Sequence, residues 1–162
     1  HADFPALFVA NTILGGYFGS RLMSNIREDK GYTYGIGSGV THLEKLSYFI
    51  VSTEVGAEVT ASTLKEIEFE MNQLHNVLVS QDELKLVKNY ILGNIMKGFD
   101  GSFNAMARFQ MLNNQGLSYG YYENLIQEIK EMNVEKIQAA AQNFMDYSAL
   151  KKIVVGKLSM LK

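Results

Sequence analysis

The stretch Leu22-Met23-Ser24-Asn25-Ile26-Arg27-Glu28-Asp29-Lys30-Gly31-Tyr32-Thr33-Tyr34-Gly35-Ile36-Gly37-Ser38-Gly39-Val40-Thr41-His42 changes its hydrophobic period midway. Up to Ile26 the apolar residues recur at helical spacing, three and four apart. Lys30 suits the negative end of a helix, and Gly31 sits where a helix-ending glycine belongs. From Tyr32 the period becomes two: Tyr32, Tyr34, Ile36, Ser38, Val40 and His42 alternate with Thr33, Gly35, Gly37, Gly39 and Thr41. That pattern predicts a strand over Tyr32–Thr41 with one almost bare face. A short turn at Leu43–Lys45 and a second strand over Leu46–Glu54 make an antiparallel hairpin.

On the N-terminal side, Asp3 is placed to cap a helix that tolerates Pro5 in its first turn and carries Leu7, Phe8, Ala10, Ile13 and Leu14. Gly15 and Gly16 weaken that helix, and Gly19-Ser20 reads as a break with Ser20 as the next cap. On the C-terminal side the period is helical again, through Leu64, Ile67, Met71, Leu74 and Leu78. Ser80 and Glu83 form a capping box ahead of Leu84, Val87, Ile91 and Ile95. Ser102 is expected to cap a further helix bearing Phe103, Met106 and Phe109 and stopping at Gly116. Two more helices follow, over Tyr121–Met132 and Val134–Met145, and a last strand over Ile153–Leu158. Met71, Met106 and Met132 fall where core filler is expected. The order predicts an α+β fold, two-layer, with the helices packed on one face of an antiparallel sheet.

Composition narrows the function classes. The chain has 162 residues, about one domain on a prior of ~150 residues per domain. It is 47% hydrophobic and 20% charged, the make-up of a folded chain. A net charge of −2 argues against nucleic acid as a partner. No apolar run approaches the roughly 18 residues of a membrane span. The absence of cysteine excludes disulfides, thiolate metal sites and cysteine nucleophiles. His1, His42 and His75 make neither H-E-x-x-H nor H-x-x-E-H, so no metal ligand set is expected here. There is no G-x-S-x-G elbow, and Gly15, Gly16 and Gly19 do not form a dinucleotide-binding fingerprint. What remains is Arg27 just before the glycine turn and Tyr34 just after it. A planar guanidinium and a phenol suit a carbonyl or carboxylate, although the same residues could serve as a surface ion pair and a packed tyrosine.

Ile13-Leu14-Gly15-Gly16, Gly19-Ser20-Arg21-Leu22 and Ile26-Arg27-Glu28-Asp29-Lys30-Gly31-Tyr32-Thr33-Tyr34 together resemble the pitrilysin/insulinase family of zinc metallopeptidases. The likeness is to its second, non-catalytic domain, which also occurs in mitochondrial processing peptidase subunits. The order of the remaining elements agrees over nearly the whole chain. The resemblance implies a clamshell of repeated α+β domains, with zinc in the partner domain and peptide as substrate. It implies that residues 1–162 are a single domain, an excised C-terminal-type domain lacking its first strand. By position it assigns substrate binding to Arg27 and Tyr34, with Tyr32 as the competing tyrosine. The partner is then a zinc-bearing homologous domain or subunit, and this chain alone has no catalytic residues. The alternative function is a proteolytically inactive, core-like scaffold or interaction protein of the same fold.

Overall fold

The computed structural model describes residues 1–43 and 46–156. Helix α1 spans Phe4–Gly15. A π-helix over Met23–Asp29 follows, then strands β1 (Ile36–His42) and β2 (Ser47–Thr53). Five further α-helices follow, α2 (Thr60–Asn76), α3 (Gln81–Lys97), α4 (Ser102–Asn114), α5 (Tyr121–Glu131) and α6 (Val134–Phe144), with short 3-10 turns at Ala57–Val59 and Tyr147–Ala149. The architecture is α+β, with helices packed against a two-stranded antiparallel sheet among the described residues.

Helix α1 is apolar nearly all round, and Val9, Ala10, Ile13 and Leu14 are fully or almost fully buried. A helix of that character belongs in the middle of a fold. It packs on β1 on one side and meets α6, α3, α5 and α2 on others. The sheet is in register Ile36↔Thr53, Ser38↔Val51, Val40↔Phe49 and His42↔Ser47. Phe49 and Val51 pack on the core, while Tyr48 and Ile50 of the alternate face are about half exposed. The glycines of β1 fall on that alternate face, as the period-two reading requires. Ile67, Met71, Leu74, Leu84, Val87 and Ile91 are all buried, so the helical faces predicted for α2 and α3 are those that meet the core.

Gly15 has a specific reason to be glycine. A Cβ there would lie 2.6 Å from both the backbone nitrogen and the hydroxyl of Ser38. The end of α1 presses directly on the backbone of β1, and no side chain fits between them.

Several expectations are corrected. The first strand begins at Ile36, so Tyr32 and Tyr34 precede it and share no strand face. The third strand expected over Ile153–Leu158 is absent in its described part: residues 151–155 form no ladder, and Ile153 and Val155 are almost fully exposed. The segment joins neither of the two free edges that the β1–β2 sheet leaves among the described residues. Lys157 and Leu158 lie outside the described residues. So do Glu44 and Lys45 of the hairpin turn, which Leu43 N–H closes by donating to Leu46 O at 2.8 Å. Asp3 stands at the head of α1 but its carboxylate caps nothing. The Ser20 hydroxyl is buried without a hydrogen-bond partner among the described residues, and does not cap either. Gly101, not Ser102, precedes α4. Leu78 lies beyond α2 and is half exposed, with Val79 buried in its place. Phe103 and Met106 face solvent on α4, at 88% and 69% exposure, while Met71 and Met132 are buried as expected.

Candidate functional site

The segment carrying Arg27 is held down from within. Leu22, Met23 and Ile26 are buried along one stripe. Widened turns of the π type place Lys30 N–H on Asn25 O at 3.1 Å, a bond that skips one residue more than an α-helix does. The segment stops at Gly31, whose φ of +64° is left-handed backbone that a side chain disfavours. Gly31 N–H donates to Arg27 O (3.2 Å) and Tyr32 N–H to Ile26 O (3.0 Å), which folds the chain back against the helix end.

Arg27 lies on the outside of this segment with about a third of its side chain exposed. Its guanidinium sits 4.7 Å from the ring centroid of Phe18, a cation–π contact, and one Nη1–H goes to Glu28 Oε1. Tyr32 is half-buried and packs on the core. Tyr34 is 99% exposed and makes no hydrogen bond among the described residues. The structure therefore separates the two tyrosines by environment, and no hydrogen bond joins Arg27 to Tyr34.

Between them a small hydroxyl network fixes the backbone. Thr33 Oγ1 lies 2.7 Å from Glu54 O and 2.9 Å from Gly35 O, and it accepts from Gly35 N–H at 3.1 Å. Thr53 Oγ1 lies 3.1 Å from Thr33 Oγ1 and 3.0 Å from Gly35 O. These contacts fasten residues 33–35 to the end of β2, where the ladder has already stopped.

A second cluster escaped sequence reading. Arg21 is bidentate to Glu83, with Nε–Oε1 at 2.9 Å and Nη2–Oε2 at 2.8 Å. That bond raises the Arg21 pKa, against the opposing effect of burial. Asn25 Nδ2 donates to Glu70 Oε1 (2.7 Å) and Glu66 Oε2 (3.1 Å), and Lys30 Nζ is 3.5 Å from Glu66 Oε1. Burial pushes the Glu70 carboxyl above its ordinary range, and the Asn25 bond and Arg21 only partly offset this. The side chains line an open groove of about 850 Å³. The available signal was Glu66 and Glu70, four apart on one helix face opposite a basic segment. The capping box is accordingly half formed: Ser80 Oγ accepts from Glu83 N–H at 3.1 Å, but the Glu83 carboxylate goes to Arg21.

A separate hollow of about 770 Å³ opens beneath α1, walled by Phe4, Phe8, Tyr90, Ile95, Arg108 and Tyr122. Neither Arg27 nor Tyr34 lines it. Among the described residues no group of three or more His, Cys, Asp or Glu is placed to share a metal ion. His42 Nδ1 is 2.8 Å from Ser47 Oγ, and His75 Nδ1 is 3.1 Å from Asn76 Oδ1. No helix among the described residues is long and apolar enough to cross a membrane.

The profile of the peptidase M16 inactive domain matches residues 1–91. An uncharacterized zinc protease of Mycobacterium leprae is 28% identical over 144 residues, which is 87% of this chain and 32% of that protein. The uncharacterized zinc protease YmxG of Bacillus subtilis is 26% identical over 145 residues, 88% of this chain and 35% of the relative. The crystal structure of a peptidase M16 inactive domain from Pseudomonas fluorescens superposes with a TM-score of 0.79 at 30% identity, covering 90% of this chain and 35% of that one. The chain spans about a third of the length of each of these three proteins.

Proposed function

The chain belongs to the family of the peptidase M16 inactive domain, and from that premise we propose that it is the metal-free, substrate-binding half of a zinc peptidase. Arg27 and Tyr34 are its peptide-contacting pair. The zinc belongs to a homologous domain or subunit that faces this one. The observation that carries the reading is Tyr34 itself: a large amphipathic side chain fully exposed on a backbone fastened at both neighbours. A side chain presented from fixed backbone loses less freedom when it makes a contact. Arg27 supports it, since the Phe18 ring and Glu28 orient the guanidinium and leave other N–H donors free. Each side chain can donate to a peptide carbonyl and to the negative charge that grows on it during cleavage.

The test is steady-state kinetics on this chain joined to its zinc-bearing half. Tyr34→Phe, which removes one hydroxyl, is expected to lower kcat/KM by roughly 10²–10³-fold at unchanged zinc content. Arg27→Lys keeps the charge and loses the planar fork, so it should rescue little. Tyr32→Phe should be silent. A damaging Tyr32→Phe beside a silent Tyr34→Phe would move the role to Tyr32. Normal turnover of all three would replace the clamp with the scaffold reading.

A further inference from the structure

We propose that Thr33 is a positioning residue whose hydroxyl sets the pose of Tyr34; the inference rests on the substrate-clamp reading and names the part that aims it. A threonine hydroxyl has one proton and two acceptor sites. At Thr33 two of these are engaged and the third has a donor within reach. The proton goes to Glu54 O, the nearer of two carbonyls at 2.7 Å, and the lone pairs meet Gly35 N–H at 3.1 Å and Thr53 Oγ1 at 3.1 Å. Thr53 Oγ1 is also 3.0 Å from Gly35 O, so it can hand its own proton to either partner.

These bonds bracket Tyr34 on both sides. Thr33 ties the residue before Tyr34 to the β2 end, and Gly35 after it donates its N–H to Thr33 Oγ1, with Thr53 Oγ1 3.0 Å from its carbonyl. Tyr34 has no packing of its own to fix its direction, being 99% exposed. The β1–β2 ladder ends at Ile36↔Thr53, one residue past Gly35. Without the hydroxyl, residues 33–35 would be a frayed lead-in to a strand, with glycine at position 35 adding backbone freedom. The network therefore fixes the direction in which the Tyr34 side chain leaves the backbone, and only its rotamer remains to be set on contact with substrate. Rigid presentation of a donor matters because misplacement of a catalytic contact by about 1 Å can cost on the order of 10²-fold in rate.

The test uses Thr33→Val, which is isosteric and lacks the hydroxyl, Thr33→Ser, which restores it, and Tyr34→Phe, in the protein that holds both this chain and its zinc-bearing half. Thr33→Val should lower kcat by at least ~10-fold with little change in KM, because the donor is lost chiefly from the transition state. Thr33→Ser should return most of it. The double variant Thr33→Val/Tyr34→Phe should be no worse than Tyr34→Phe alone, since Thr33 acts only through that hydroxyl. Backbone relaxation at Tyr34 and Gly35 should show greater motion in Thr33→Val than in Thr33→Ser. Normal kcat in Thr33→Val beside an impaired Tyr34→Phe overturns the positioning role and leaves the clamp standing. Additive losses in the double variant also overturn it. A silent Tyr34→Phe removes Tyr34 from the clamp and overturns the Thr33 role with it.

Discussion

At the level of single residues, close approach and burial make the sharpest demands. Gly15→Ala puts a methyl 2.6 Å from the backbone of Ser38, and backbone cannot swing aside as a side chain tip can. The substitution is expected to destabilise the chain by about 1–3 kcal/mol despite improving helix propensity, read from denaturant midpoints at constant m-value. Its sequence signal was legible only as a weak helix position, because nothing local reveals that β1 passes so near. Glu70 illustrates a pH effect. Its folded pKa is raised by burial, so the folded state holds this proton more readily than the unfolded chain does. The stability linked to Glu70 is therefore greatest below its unfolded pKa and declines as pH rises through the folded value. Glu70→Gln keeps an acceptor for Asn25 and should flatten that decline in melting curves taken across the weakly acidic range. Asp146 works with the opposite sign. Hydrogen bonds from the Ser148 hydroxyl and backbone N–H hold its carboxyl below the usual range, so its contribution is present above the unfolded pKa and is lost as pH falls through the folded one.

At the level of elements, the local pattern carried far but could not see partners. Helices α2, α3, α5 and α6 lie within a residue or a few of the positions expected, because each has a clear period and a recognisable start or stop. The hairpin was legible from alternation alone. The final strand was not, since Ile153 and Val155 are strand formers by type while pairing is decided by an edge elsewhere. The face of α4 failed for a related reason: Phe103 and Met106 have helical spacing, but spacing says nothing about whether a partner lies opposite. The π-turns of Met23–Asp29 were equally hidden behind an ordinary-looking apolar stripe. Glu83 was assigned to a capping box on spacing, yet its carboxylate crosses to Arg21, 62 positions away in sequence. This divides its two roles between backbone and side chain. Ser80→Ala should cost ~1 kcal/mol by removing the cap alone. Arg21→Met should cost about 1.5–3 kcal/mol, the loss of hydrogen bonds to a charged group, and should also raise the Glu70 pKa further because Arg21 now lowers it. A double-mutant cycle between Arg21→Met and Glu83→Gln should show strong coupling, while one between Ser80→Ala and Arg21→Met should be nearly additive.

At the level of the whole molecule, the fold was legible through both its periods and its likeness to a known family, whereas the candidate site was legible only as two residue types at one spacing. In the structure Tyr32 packs on the core, Tyr34 stands in solvent, and Arg27 is flanked by Phe18 and Glu28. Among the described residues no group of three or more His, Cys, Asp or Glu converges, and each histidine has other neighbours. His1 and His42 border the same hollow beneath α1, but His1 pairs with Asp3 at the helix entrance, while His42 bonds Ser47 and rests edge-on against Phe4. His75 closes the far end of α2 beside Asn76. A protein zinc site takes three or four N, S or O side-chain ligands at roughly 2.0–2.3 Å, and here the imidazoles are committed to other neighbours. The isolated chain, purified without a chelating tag and dialysed, is therefore expected to retain no stoichiometric zinc by elemental analysis and to cleave neither casein nor fluorogenic peptides. Addition of excess zinc should leave its melting temperature essentially unchanged, because a metal that binds only the folded state would raise it by mass action. One tightly held zinc per chain, or peptide cleavage that survives repurification, would place catalytic chemistry in this domain and overturn the division of labour between it and a zinc-bearing half.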